Sequence, residues 1–432
     1  MDEDLIYDWN LSVDEPPRPA RRIEFDDETL RDGLQSPSVT DPTLEEKIQI
    51  LHFMNDIGID NADIGLPGAG PHVQRTVEAL AREIVRSKLS VYPSAAGRTH
   101  ENDVRPIIEI SQRVGIAIEA DLFIGSSPIR QFTEEWDIDW IIEQSTKAVR
   151  FATENGIPVM YVTEDTTRAK PEDVEKLYTA AIDAGAKRVC IADTVGHATP
   201  WGTRNLVRFV RSLVDRLNPA VKVDWHGHQD RALGIINCIA AIDAGADRVH
   251  GSAAGIGERV GNTPMDLLMV NLKLMGWIDN DLTKLPDYVR FVTKATHVPL
   301  PDNYPVFGRD AFRTGTGVHA AAIIKARKKG SEWLADRVYS GVPAGMFGLQ
   351  QVIEVGPMCG LSNVIYWLAE HGYPQEEPLA KEIFQLAKST NRVLTDDEIH
   401  TAAKRWKGAN VGPALQPARS DGESDLRARV AE

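Results

Sequence analysis

The chain has 432 residues, 42% hydrophobic and 26% charged, proportions ordinary for a soluble globular protein. Its 48 basic against 63 acidic residues leave a formal charge of −15, which repels a phosphate backbone and argues against nucleic-acid binding. The longest uncharged apolar stretch, 232–242, is too short to cross a bilayer. Three scattered cysteines without a Cys-x-x-Cys pair point to a reducing cytoplasm and away from a disulfide scaffold or zinc ribbon.

Residues 1–20 are acidic, then proline-rich, and read as a tail; without an apolar segment among the first eleven residues, no secretory signal is expected there. From Arg21 a repeating unit begins: a short apolar strand, a polar loop, an amphipathic helix, and a glycine that ends the helix. Strands are predicted near 22–26, 60–64, 89–92, 117–123, 157–162, 187–192, 221–226 and 247–251. The heptapeptide AAIDAGA occurs at 180–186 and again at 240–246, two βα units apart. Eight βα units predict an α/β fold, a TIM (β/α)8 barrel over 21–280. A doubly wound open sheet would need a glycine-rich turn after its first strand, and TLRDGLQ is not one. Segments 320–330, 361–371, 378–389 and 396–406 predict a C-terminal helical appendage over 281–410, and 411–432 read as a second tail.

In a TIM barrel the chemistry sits at the C-terminal ends of the strands. Arg31 and Asp32 follow strand one. His226 and His228 close strand seven, two residues apart and therefore on one face of an extended chain, a good metal-ligand spacing. Strand eight runs into GSAAGIGERVGN, whose glycines can bring backbone N–H groups close to a ligand or simply make a tight turn. Strands five and six end in TEDTTR and ADTVGHATP, where Asp165, Asp193 and Thr194 are helix caps or site residues.

Taken in order, TLRDGLQSP, VTEDTTR, ADTVGHATP, HGHQD, AAIDAGADRV and GIGERVGN resemble the metal-dependent Claisen-condensing barrels: 2-isopropylmalate, homocitrate and citramalate synthases, with hydroxymethylglutaryl-CoA lyase a more distant relative. The resemblance runs over about residues 21–405. It implies an acyltransferase that condenses acetyl-CoA with a 2-oxo acid, in a cytoplasmic homodimer whose appendage covers the partner's barrel. By the same resemblance Asp32, His226, His228 and Asn262 hold a divalent cation, Mg²⁺, Mn²⁺ or Zn²⁺. Arg31 stabilises developing negative charge, Thr194 binds the 2-oxo acid carboxylate, and Gln35 supports the metal site. Glu164 with His319 and Tyr339 of the appendage manages proton removal from acetyl-CoA, and Gly255, Gly257, Glu258 and Arg259 lie near its thioester.

The chain departs from the family pattern at Gln229 and Ala232 after the His-x-His pair, at Gly315, and at three pocket positions. Asp63 stands for a glutamate, Asp121 for a substrate-facing histidine and Val162 for a serine. Val162 favours a larger apolar substrate, whereas Arg98, His100 and Arg130 in neighbouring loops would select a second acidic group. Two other readings are a metal-dependent lyase or aldolase on the same site, and a barrel that binds without catalysing.

Overall fold

The computed structural model describes residues 5–12, 18–19 and 21–410. The expected C-terminal tail lies outside these residues, as does half of the N-terminal one. Eight strands close into one parallel barrel: β1 (Glu24–Asp27), β2 (Asn61–Asp63), β3 (Tyr92–Arg98), β4 (Glu119–Gly125), β5 (Val159–Glu164), β6 (Arg188–Asp193), β7 (Lys222–Gly227) and β8 (Arg248–Gly251). β1 also pairs with β8, with Asp26 opposite His250, so the sheet has no edge. This is the expected TIM barrel.

Local chemistry accounts for the surrounding helices. Thr43 and Glu46 form a reciprocal capping box at the start of Leu44–Asp56, satisfying two orphan backbone donors. The two AAIDAGA repeats end the helices Pro171–Asp183 and Gly234–Asp243. Gly185 and Gly245 sit at φ +109° and +106°, which side chains rarely adopt. One predicted strand is displaced: 89–92 was expected, but β3 runs Tyr92–Arg98. Its sequence, YPSAAGR, lacks the apolar run that marks a strand, because its side chains are small where they face the crowded barrel interior.

The lower barrel interior is ionic. Arg188 and Arg248 both donate to Asp224, and Arg248 also donates to Glu119 at 2.7 Å. Burial disfavours the Asp224 carboxylate, but the two arginines override it and hold its pKa far below the usual range.

The chain divides into two compact units. The barrel unit continues past the expected boundary at 280 to Phe312 and includes Val342–Gln350. The helix Leu285–Ala295 explains the difference. It buries Leu285, Tyr288, Val289 and Val292 in the barrel unit's core, and the Tyr288 hydroxyl donates to Asp27 Oδ2 at 2.5 Å. The second unit holds a two-stranded sheet (Arg313–Thr314 with Val352–Ile353) and the helices Gly317–Lys328, Glu332–Ala335, Leu361–Glu370, Glu377–Lys388 and Asp396–Asn410. Val364, Trp367, Leu368, Leu379 and Ile383 form a small core there. Among the described residues no helix is long and apolar enough to cross a membrane, and all three cysteines are free and buried.

Candidate active site

The loop after β1 and the end of β7 bring three of the expected ligands together. Asp32, His226 and His228 place a carboxylate oxygen and two ring nitrogens within 4.8 Å of one another. His226 Nε2 is 3.1 Å from His228 Nε2, and Asp32 Oδ2 is 3.6 and 3.5 Å from the two nitrogens. Asn262 joins them through the backbone: it bridges to His228 in antiparallel fashion, and the flanking Thr263 N–H donates to Gly227 O at 3.0 Å.

The glycine loop makes this approach possible. Gly257 has φ +155°, and a Cβ there would lie 2.3 Å from Asn262 Nδ2. The glycine signal is thus accounted for by a tight turn. Gly255 and Gly257 do not line the barrel cavity, whereas Glu258 does. Arg259 does not line it either: it pairs with Asp230 and donates to Thr194 O at 2.5 Å.

The donor set fits a divalent cation. Asp32 Oδ1 and Asn262 Oδ1 are buried without a hydrogen-bond partner. Burial pushes both histidines down to about 4, so each offers a neutral ring. Burial disfavours the Asp32 carboxylate, yet Arg31, His228 and His226 together hold its pKa below the usual range. Neutral imidazoles beside a carboxylate are ligands that Mg²⁺, Mn²⁺ or Zn²⁺ would take, and the unpaired amide oxygen of Asn262, bridged through its backbone to His228, is a donor of the same kind.

Two neighbours were not anticipated. Glu28 Oε1 accepts from His226 Nδ1 at 2.7 Å and from His250 Nδ1 at 2.8 Å, while Oε2 bonds Arg31. A neutral imidazole that donates through Nδ1 keeps its lone pair on Nε2, so Glu28 fixes which His226 nitrogen faces Asp32. One sequence signal was available for His250. It shares the inward face of β8 with Arg248 by period two.

Arg31 is gripped by acids: Nε donates to Asp63 Oδ2 at 2.6 Å, one terminal nitrogen bonds Glu28, and the other lies 3.7 Å from Asp32. Burial works against its charge, but Asp63 and Asp32 raise its pKa further still, so it stays cationic. Asp63 itself is pushed up to about 6, by burial above all.

A cavity of about 270 Å³ opens over these groups. Among the expected site residues Arg31, Asp32, Gln35, Asp63, Asp121, Val162, Glu164, Thr194, His226, His228 and Glu258 line it. Burial raises the Glu164 pKa, with Arg130, 3.8 Å away, opposing. Thr194 Oγ1 accepts the Asp165 N–H at 2.8 Å. Arg98 is placed elsewhere: it lines an adjoining cavity and forks onto Asp103 at 2.8 and 2.9 Å. His319 and Tyr339 belong to the second unit, where their rings stack at 4.0 Å between centroids.

An eight-stranded parallel barrel with a carboxylate, two neutral imidazoles and a fixed guanidinium at its mouth defines a class of metal-dependent barrel sites. The HMGL-like family model matches residues 22–292, and the chain belongs to that family. It is 30% identical over 375 residues to a probable 2-isopropylmalate synthase of Methanopyrus kandleri, covering 85% of this chain and 69% of that one. A homocitrate synthase, AksA, of Methanocaldococcus jannaschii is 30% identical over 390 residues, covering 88% and 90%. A solved hydroxymethylglutaryl-CoA lyase of Pseudomonas aeruginosa superposes with a TM-score of 0.55 over 68% of this chain and 97% of its own. At 19% identity that likeness shows the fold alone.

Proposed function

We propose that this chain is an acyltransferase that condenses acetyl-CoA with a 2-oxo acid and releases CoA, giving a 2-substituted malate. The observation that carries the reading is the convergence of Asp32, His226 and His228 beside Arg31 and Glu164 in one cavity. The synthase names of the relatives support it. A divalent cation held by Asp32, His226, His228 and Asn262 would supply Lewis-acid polarisation of the 2-oxo group.

The chain's own residues do the rest. Arg31, fixed by Asp63 and Glu28, presents a cation that need not reorganise as negative charge develops on the reacting oxygens. Thr194 offers its hydroxyl to the 2-oxo acid carboxylate. Glu164 has a raised pKa, so it takes a proton more readily than an ordinary carboxylate. With His319 and Tyr339 it would remove the acetyl methyl proton. The resulting carbanion adds to the keto carbon, the keto oxygen takes up a proton as its double bond opens to an alcohol, and water then cleaves the thioester to a carboxylate and the free thiol. We further propose that the protein works as a homodimer in the cytoplasm.

The test is free-thiol release from acetyl-CoA across a panel of 2-oxo acids, with metal added and then chelated. Release that needs both the acid and the metal, and that disappears in His226→Ala with its fold kept, is the expected result. Carbon–carbon cleavage without thiol release would replace this reading by a lyase.

A further inference from the structure

Leu66, Ala96, Phe123, Met160, Val162 and Ala192 form the apolar share of the cavity lining. A carboxyl stands beside them, opposite Met160 in the β4–β5 pair. Asp121 on β4 lines the same cavity and is 4% exposed, and its Oδ1 has no hydrogen-bond partner. A buried polar group without a partner costs about 1–3 kcal/mol, so a carboxyl that lines a ligand cavity and makes no hydrogen bond points to a ligand group that pairs it.

The surroundings say which kind of group. Arg248, whose charge opposes the rise in the Asp121 pKa, is committed to Asp224 and Glu119, both at 2.7 Å. Burial, and then the carboxylates of Glu119, Asp63 and Asp26, raise the Asp121 pKa well above the usual range. A hydroxyl can donate to a carboxyl oxygen whether or not that carboxyl holds a proton, and it brings no further negative charge. A second carboxylate on the substrate would meet an acidic wall. The cavity lining holds six carboxyl side chains and one cation, Arg31, which is already bound to Asp63 and Glu28.

We infer that Asp121 sets specificity, and that the 2-oxo acid taken here carries an alcohol or phenol hydroxyl on an otherwise apolar side chain rather than a second carboxylate. The inference rests on the condensing reading above for its 2-oxo acid, and on Asp121 for the hydroxyl.

The experiment compares matched pairs on the full-length protein: 4-hydroxyphenylpyruvate with phenylpyruvate, and 4-hydroxy-4-methyl-2-oxopentanoate with 4-methyl-2-oxopentanoate. 2-Oxoglutarate is the dicarboxylic control. Thiol release gives kcat/KM, and calorimetry on the Mn²⁺-loaded protein gives binding. In at least one pair the hydroxylated acid should lead by roughly 10- to 100-fold, the effect of leaving one buried polar group unpaired. Asp121→Asn, which still donates and accepts, should keep most of that preference. Asp121→Leu should erase it. Equal or better use of the apolar member in both pairs would overturn the inference, as would efficient use of 2-oxoglutarate or an unchanged preference in Asp121→Leu. No thiol release from any acid would instead overturn the condensing reading, and the calorimetric comparison would still decide the role of Asp121.

Discussion

Glu28→Leu removes a carboxylate that serves three partners. Oε1 takes the Nδ1 protons of His226 and His250 at 2.7 and 2.8 Å, and Oε2 takes Arg31. Without it the His226 ring loses the contact that fixes its tautomer and orientation. Removing a carboxylate that orients a metal-ligating histidine weakens metal binding by about 10–100-fold, or roughly 1.4–2.7 kcal/mol. Glu28→Gln separates the two duties. Its single carbonyl oxygen can still accept from both imidazoles, but its amide N–H groups would face the Arg31 guanidinium. Glu28→Gln should therefore lose less than about tenfold in metal affinity while turnover falls, because Arg31 is displaced. The assay is calorimetric titration of the metal-stripped protein with Mn²⁺, with circular dichroism to check the fold. Wild-type affinity in folded Glu28→Leu would refute the argument that this carboxylate positions His226.

Arg31→Lys keeps a charge but cannot hold Asp63, Glu28 and a reacting oxygen through one planar fork. Turnover should drop by roughly 10²–10³ with metal content unchanged, and normal turnover would remove Arg31 from the mechanism. Asp266 makes a stability prediction. It accepts the Ala254 N–H at 2.8 Å and the Tyr304 hydroxyl at 3.0 Å, and burial pushes it up to about 7. The unfolded chain then releases this proton first, so the group withdraws stability as pH rises from about 4 to about 7. Asp266→Asn lacks that proton. Its urea unfolding midpoint should gain on the wild type between pH 5 and pH 8, and parallel midpoints would show that Asp266 ionises normally.

Much of the barrel and the core of its site were legible in the sequence because their signals are local. Strand and helix alternation, the glycine that ends each helix, and the His226-x-His228 period are properties of neighbouring residues. Once eight βα units are read, strand ends must share one mouth. Asp32, His226, His228, Glu164 and Thr194 line one cavity though they lie far apart in the chain. Tertiary structure alone decided the rest. Barrel closure puts Asp26 opposite His250 and so sets Glu28 beside a histidine 222 residues away, a pairing no local pattern contains. Arg98 carried the same charge signal as Arg31. Asp103, five residues on, binds Arg98 outside the barrel cavity, whereas Asp63, Glu28 and Asp32 hold Arg31 inside it. Tyr288 ties Leu285–Ala295 to the barrel unit through a buried bond to Asp27, across the boundary at 280 that the count of βα units and the helical segments beyond it suggest. The unpaired oxygen of Asp121 belongs to this second kind of fact. The sequence supplies the carboxyl, but only packing can leave it buried, facing a cavity and without a partner.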